Sequence, residues 1–275
     1  MKTNNLITIA LKDLAEVRKN KSAWMPAVIV PFVFFVLIPV AILVVPTLPF
    51  AQQGMLKTNV SIEELMTILP LEIKSLISGK TPDQIFPYIF LGYLFAPMFL
   101  IMPLMLSSII SSESFAGERE RKTLEGLLYT PTTDHELFLG KVLAAFVPAV
   151  ALSWISFLFY TIIVNVLGYP IMGNVWFPLK TWWPLIFWIT PAISLLGVSV
   201  TVLISSKVNT FMEAYQSGGS LVLIVLGLVV GQATGVLYLS VPIGMAVGLL
   251  LWCIDLVLVS FCLKSFKRSN LIGKV

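Results

Sequence analysis

Charge is what this chain has least of: 12% of its 275 residues are Asp, Glu, Lys or Arg, against about 25% in an average soluble domain. That scarcity excludes a water-facing globular surface and makes lipid the expected solvent. Cysteine is nearly missing as well. Cys253 and Cys262 stand in one apolar run at a spacing that puts them on opposite helix faces, which excludes a mutual disulfide and a metal site. The single histidine, His135, falls in a polar turn. No G-x-x-x-x-G-K-[ST] occurs. Gly140-Lys141 has His135 where the first glycine belongs and Val142 where a hydroxyl belongs, so no P-loop nucleotide site is expected. H-E-x-x-H, C-x-x-C and G-x-S-x-G are absent too, so nothing points to catalytic residues or a metal.

Hydrophobic residues make up 57% of the chain. A hydrocarbon core about 30 Å thick takes roughly 20 apolar residues in a helix. Segments 24–46, 86–110, 142–167, 183–205, 217–239 and 242–263 meet that length. The expected fold is an all-α membrane protein. It has six transmembrane helices, an N-terminal interfacial amphipathic helix within 1–22, a 47–85 outer loop and a 111–141 cytoplasmic loop carrying a short helix between two turns. Residues 1–275 form one domain with no room for a soluble one. Six spans bring both termini to one side. That side holds fourteen Lys/Arg against four (Lys57, Lys74, Lys80, Lys180) on the other, which places termini and the 111–141 loop in the cytoplasm of a multi-pass plasma-membrane protein. Topology accounts for the net charge of +4, so no nucleic-acid partner is implied. Trp176, Trp182 and Trp183 are expected in an outer aromatic belt.

Residues 5–19 read as an amphipathic helix, with Ile7, Ala10, Leu11, Leu14 and Val17 on one face and Thr8, Lys12, Glu16 and Lys19 on the other. The first 22 residues are too mixed in charge for a cleavable signal. Ser61 to Glu64 and Thr133 to Glu136 are capping boxes. Gly227, Gly231 and Gly235, then Gly244 and Gly248, recur every four residues. This suits packing within a subunit, contact between subunits, or a tight re-entrant turn.

The charged loop carries the functional signal. Positive-inside bias explains Arg119, Arg121 and Lys122, but not the alternation Glu118-Arg-Glu-Arg121, nor a Leu124/Leu127/Leu128 knob held between helix stops. Three leucines gain nothing in solvent. On a docking helix they gain burial, and flanking charges set the register. The run Glu118 to Leu128, then Pro131, then Glu136-Leu-Phe-Leu-Gly-Lys141 resembles the signature loop of type-2 ABC transporter permeases, the membrane subunits of ATP-binding-cassette exporters. The resemblance implies that the loop, as a cytoplasmic coupling helix, fits a groove in a separate ATPase subunit, which binds the ATP and Mg, and that two permease copies, identical or paralogous, line the path through the lipid. It also implies that Glu118, Arg121, Leu124, Glu125 and Leu128 touch the ATPase, with Leu127 completing the knob. Inside the spans, Asp255 is the one ionisable residue far from an end. With Gln232, Thr234 and Asn165 it is a candidate for a substrate or ion path, Asp255 also suiting a plain interhelical hydrogen bond. An ATP-independent transporter or channel with Asp255 as its ion site is the alternative reading.

Overall fold

The computed structural model describes residues 3–48, 71–123, 133–208 and 210–265. Its elements are all helical: α1 Thr3–Lys19, α2 Trp24–Thr47, α3 Leu71–Ile77, α4 Pro82–Glu120, α5 Asp134–Met172, α6 Trp182–Ser205, α7 Phe211–Ala233 and α8 Val241–Ser265. The six longest apart from α1 are long and apolar enough to cross a bilayer. The chain is an all-α membrane protein.

α7 begins at Phe211, six residues before the expected start at 217, and ends at Ala233. Thr210 caps it by accepting the Glu213 N–H, so a polar capping residue sets the boundary, not the onset of apolar composition. α4 and α5 each run for 39 residues, about 58 Å at 1.5 Å per residue. Both are therefore longer than a bilayer core requires, and the last turns of α4 meet the first of α5 at one end of the bundle. That end is the loop face below.

Burial ranks the spans. The apolar windows of α4 and α6 are 78% and 72% buried, those of α2, α7 and α8 each 17%. α4 and α6 form the centre because their shared face is built of small residues. Ser107, Ser108, Ser111 and Ser112 of α4 are buried, as are Ser194, Ser199, Thr201 and Ser205 of α6. A Cβ at Gly197 would run into Ser107 Oγ. Small side chains let backbones approach where lipid supplies no hydrophobic drive.

Proline shapes the rest. π-helical turns at Val33–Leu37, Tyr88–Leu94 and Leu185–Ile189 follow Pro31, Pro87 and Pro184. Each proline lacks an N–H and crowds the preceding turn, and the wider turn absorbs the misfit. At the end opposite the loop face, Trp182 is fully buried among Phe99, Phe157, Tyr160 and Phe177. It belongs to the core, not to the expected aromatic belt, whereas Trp183 is 49% exposed. Ile77 of α3 is buried with Ile85, Tyr88 and Met172, so this part of the outer loop caps the bundle. The Ser61 capping box lies outside the described residues.

The glycine series divides by neighbour. Gly235 takes φ +74 in the turn after α7, and Gly231 faces Leu237 of the same turn. Gly244 and Gly248 let α8 lie against Pro184 and Trp188 of α6. A Cβ at Gly227 meets nothing within 4 Å. Cys253 is exposed, Cys262 is buried, and both are free.

Candidate functional site

The site is a knot of charge at the root of the 111–141 loop, on the loop face. It begins with α1. Leu6, Ile9, Asp13 and Val17 form its buried face. This is a rotated version of the expected one, because Ile7 and Leu11 are 58% and 62% exposed. The helix has two apolar faces, one against protein and one turned out beside Leu143 and Val147 of α5. Gly140 permits the close approach: a Cβ there would sit 3.0 Å from Ile9 Cβ. One residue on, Lys141 projects under α1.

Lys141 is 0% exposed, and its three donors meet three acceptors: Glu118 at 2.6 Å, the Ser114 carbonyl at 2.6 Å and Asp13 at 3.3 Å. Lys12 bonds the other oxygen of Glu118 at 2.5 Å and also reaches Asp13 and Glu16. Arg121 Nη1 pairs with Glu113 at 2.5 Å and Nη2 with Glu16 at 3.6 Å, while Asn20 donates to the second Glu113 oxygen at 2.8 Å. Asp13, Glu16 and Glu118 converge closely enough to suggest a metal. The two lysine ammonium groups already lie among those carboxylates and supply the compensating charge.

The alternating charges now have an account. Along one turn, successive side chains reach different elements. Glu118 holds α1 and α5. Arg119 donates to the Ser205 and Val208 carbonyls at 2.6 and 3.1 Å, at the C-terminal end of α6. Glu120 accepts the Phe211 N–H at 2.8 Å, at the first turn of α7. Arg121 returns to α1 and Glu113. A cation on terminal carbonyls and an anion on leading N–H groups both follow the helix dipole. The end of α4 is thereby tied to α1, α5, α6 and α7. Thr133 and Glu136 close the far side of the loop with the expected capping box, at 3.2 and 3.1 Å.

This geometry changes the role expected of Glu118. It is 0% exposed and spent on two lysines, so it serves as an internal strut here, not as a contact surface. Arg121 is half engaged with Glu113 and Glu16, its side chain 42% exposed. Leu124, Glu125, Leu127 and Leu128 lie outside the described residues. Asp13, Lys141, Arg119 and Glu120 were missed as a set. The available signals were an aspartate on a face with Leu6, Ile9 and Val17, and a glycine directly before a lysine.

The candidate path residues are not gathered together. Gln232 donates to the Tyr93 carbonyl at 2.7 Å while Tyr93 donates to the Gln232 carbonyl at 3.2 Å, clamping α7 to α4. Thr234 bonds carbonyls of its own helix end. Asn165 holds the return loop through Trp176 and Phe177. Each of the three thus bonds backbone at a helix end or loop, and Gln232 Oε1 has no partner among the described residues. Asp255 lies on α8, which packs against α6, with neither oxygen partnered among the described residues.

Salt and pH act on the knot through Lys12. Burial lowers its ammonium, but the bond to Glu118 and the charges of Glu118, Asp13 and Glu16 outweigh that and hold it well above the ordinary value of 10.5. Folding therefore gains from Lys12 at all pH below 10.5, and the gain is lost as pH rises from there through the folded value. An alkaline transition in Trp24 emission is expected that Lys12→Met lacks. Equal transitions in both proteins would assign it elsewhere.

The chain matches the family model described as ABC-2 family transporter protein over residues 7–245. No curated protein and no solved structure matches it. The match takes in nearly all of α1, the knot and the first five spans but only the first turn of α8, and the chain belongs to this family as a membrane-spanning permease subunit of an ABC transporter.

Proposed function

We propose that this permease exports its substrate across the cytoplasmic membrane by coupling to a separate ATP-binding-cassette subunit that docks on the 111–141 loop, and that two copies, identical or paralogous, enclose the path. ATP and Mg belong to the docked subunit. The observation that carries the reading is the knot: the two stems of the loop are bonded to each other through Glu118 and Lys141, and to α1, α6 and α7. A push on the loop therefore reaches several helices together, which is what a motor acting from outside the lipid requires. Both termini and the loop lie on the cytoplasmic side in this reading. There α1 rests in the interface, its outer face and α5 forming an apolar groove of about 250 Å³ lined by Leu6, Leu11, Leu14, Leu143 and Val147, suited to lipid chains.

The test is retention of the motor. Affinity-tagged chain purified from its native membranes is expected to carry a P-loop ATPase. Leu124→Asp combined with Leu128→Asp is expected to lower that recovery at least tenfold while leaving the elution volume of the permease unchanged. Undiminished recovery would remove the loop from the interface.

A further inference from the structure

Asp255 is 0% exposed and neither carboxylate oxygen has a hydrogen-bond partner among the described residues. It lies fourteen residues from Val241 and ten from Ser265, about 21 and 15 Å along the axis, and so near the middle of a core about 30 Å thick. The packing of α8 on α6 fixes what it faces. Gly248 lies against Trp188, and Cys262 Sγ reaches the Ser199 carbonyl at 3.5 Å. Asp255 stands two turns from each. Between Trp188 and Ser199, the α6 residues on the same face are Ala192 and Leu195, which offer no polar atom.

No Asp, Glu, Lys, Arg, His or Tyr occurs between Trp182 and Ser205. On α8 itself Lys264 is nine residues away, Cys253 is exposed, and Cys262 is engaged with Ser199. One turn before Asp255, Trp252 Nε1 is also buried without a partner. An ionised carboxylate left so would carry an uncompensated charge at the bilayer centre. An alkali ion would need several oxygens around it, and apart from the carboxylate the register brings only alkyl groups and an N–H donor. The ligand that needs no further oxygens is a proton.

We propose that Asp255 is a proton-binding site, which holds its proton while α8 is packed on α6 and releases it only when the two helices part. Proton occupancy and the α6–α8 contact are then linked, so a movement that opens this seam exchanges a proton with water. The inference stands apart from the ATPase reading and is tested without it.

The experiment is infrared spectroscopy of the full chain in lipid bilayers, in choline chloride at neutral pH, with aspartate carboxyls isotopically labelled. A protonated-carboxyl stretch of aspartate is expected, lost in Asp255→Asn and lost also in Gly248→Leu, which wedges α8 away from Trp188. The labelled wild-type spectrum alone tests the protonated site if Asp255→Asn fails to fold, since Asp13 is paired with two lysines and Asp83 and Asp134 lie outside the bilayer centre; Gly248→Ala serves for the link to packing if Gly248→Leu fails to fold. Absence of the band in the wild type would overturn the site. Its loss on replacing choline by sodium would assign an alkali ion instead, and its survival in Gly248→Leu would overturn the link to packing.

Discussion

Replacing Lys141 by methionine is expected to cost about 3–5 kcal/mol of stability, the usual penalty for removing one partner of a buried ionic cluster. The ammonium is fully buried and satisfies Asp13 and Glu118 together. Without it two carboxylates face each other at 0% exposure, with Lys12 the remaining cation in contact with both. Thermal unfolding in detergent should report a large fall in midpoint, with release of α1. The loss comes from stranded charge more than from a missing bond. Lys141→Met with Glu118→Gln and Asp13→Asn should therefore recover most of it, since a wholly neutral replacement of such a cluster is often tolerated. If the triple variant is no more stable than Lys141→Met, the lysine contributes mainly through packing. A stable triple variant that no longer transports would separate the two roles of the knot, holding the fold and passing on the motion of the loop.

Trp182→Ala should destabilise the opposite end by a similar amount, about 3–5 kcal/mol for a large aromatic removed from a packed interior. In lipid the hydrophobic drive between helices is weak, so contact and cavity terms carry the cost. Trp182 has rings of Phe99, Phe157, Tyr160 and Phe177 within 4.8–5.8 Å of its own, and its Nε1 donates to the Gly92 carbonyl at 2.7 Å. Trp182→Phe retains much of the ring contact and isolates that bond, for which about 0.5–1.5 kcal/mol is expected. Unfolding midpoints of the two variants within error of each other would mean that the bond, not the ring volume, dominates. The return loop should loosen with Trp182→Ala, because Phe177 packs edge-on against the indole at 4.8 Å.

Much of this was legible in one dimension, for identifiable reasons. Spans are long apolar runs because lipid offers no partner for backbone or side-chain polarity, and Thr133 with Glu136 marked the start of α5 three residues apart. The limits of α7 were harder to see, since its first residues, Phe211 to Gly219, are not strongly apolar and a single threonine cap sets the boundary. Trp182 misled because a tryptophan at a span end suits an interfacial belt and an aromatic core equally well. The adjacent Trp183 is the one that remains exposed.

Sequence alone determined that this chain is an all-α membrane protein with six helices long and apolar enough to span and a charged loop between two of them, because each of these follows from runs and patterns of neighbouring residues. Only the tertiary structure decided what the charges do. Glu118 becomes a buried strut, Arg121 is half engaged with Glu113 and Glu16, Asp13 and Lys141 meet across 128 positions of chain, and Asp255 has no partner among the described residues. Charge acts through space, and the distances that decide its effect are set by packing rather than by position along the chain.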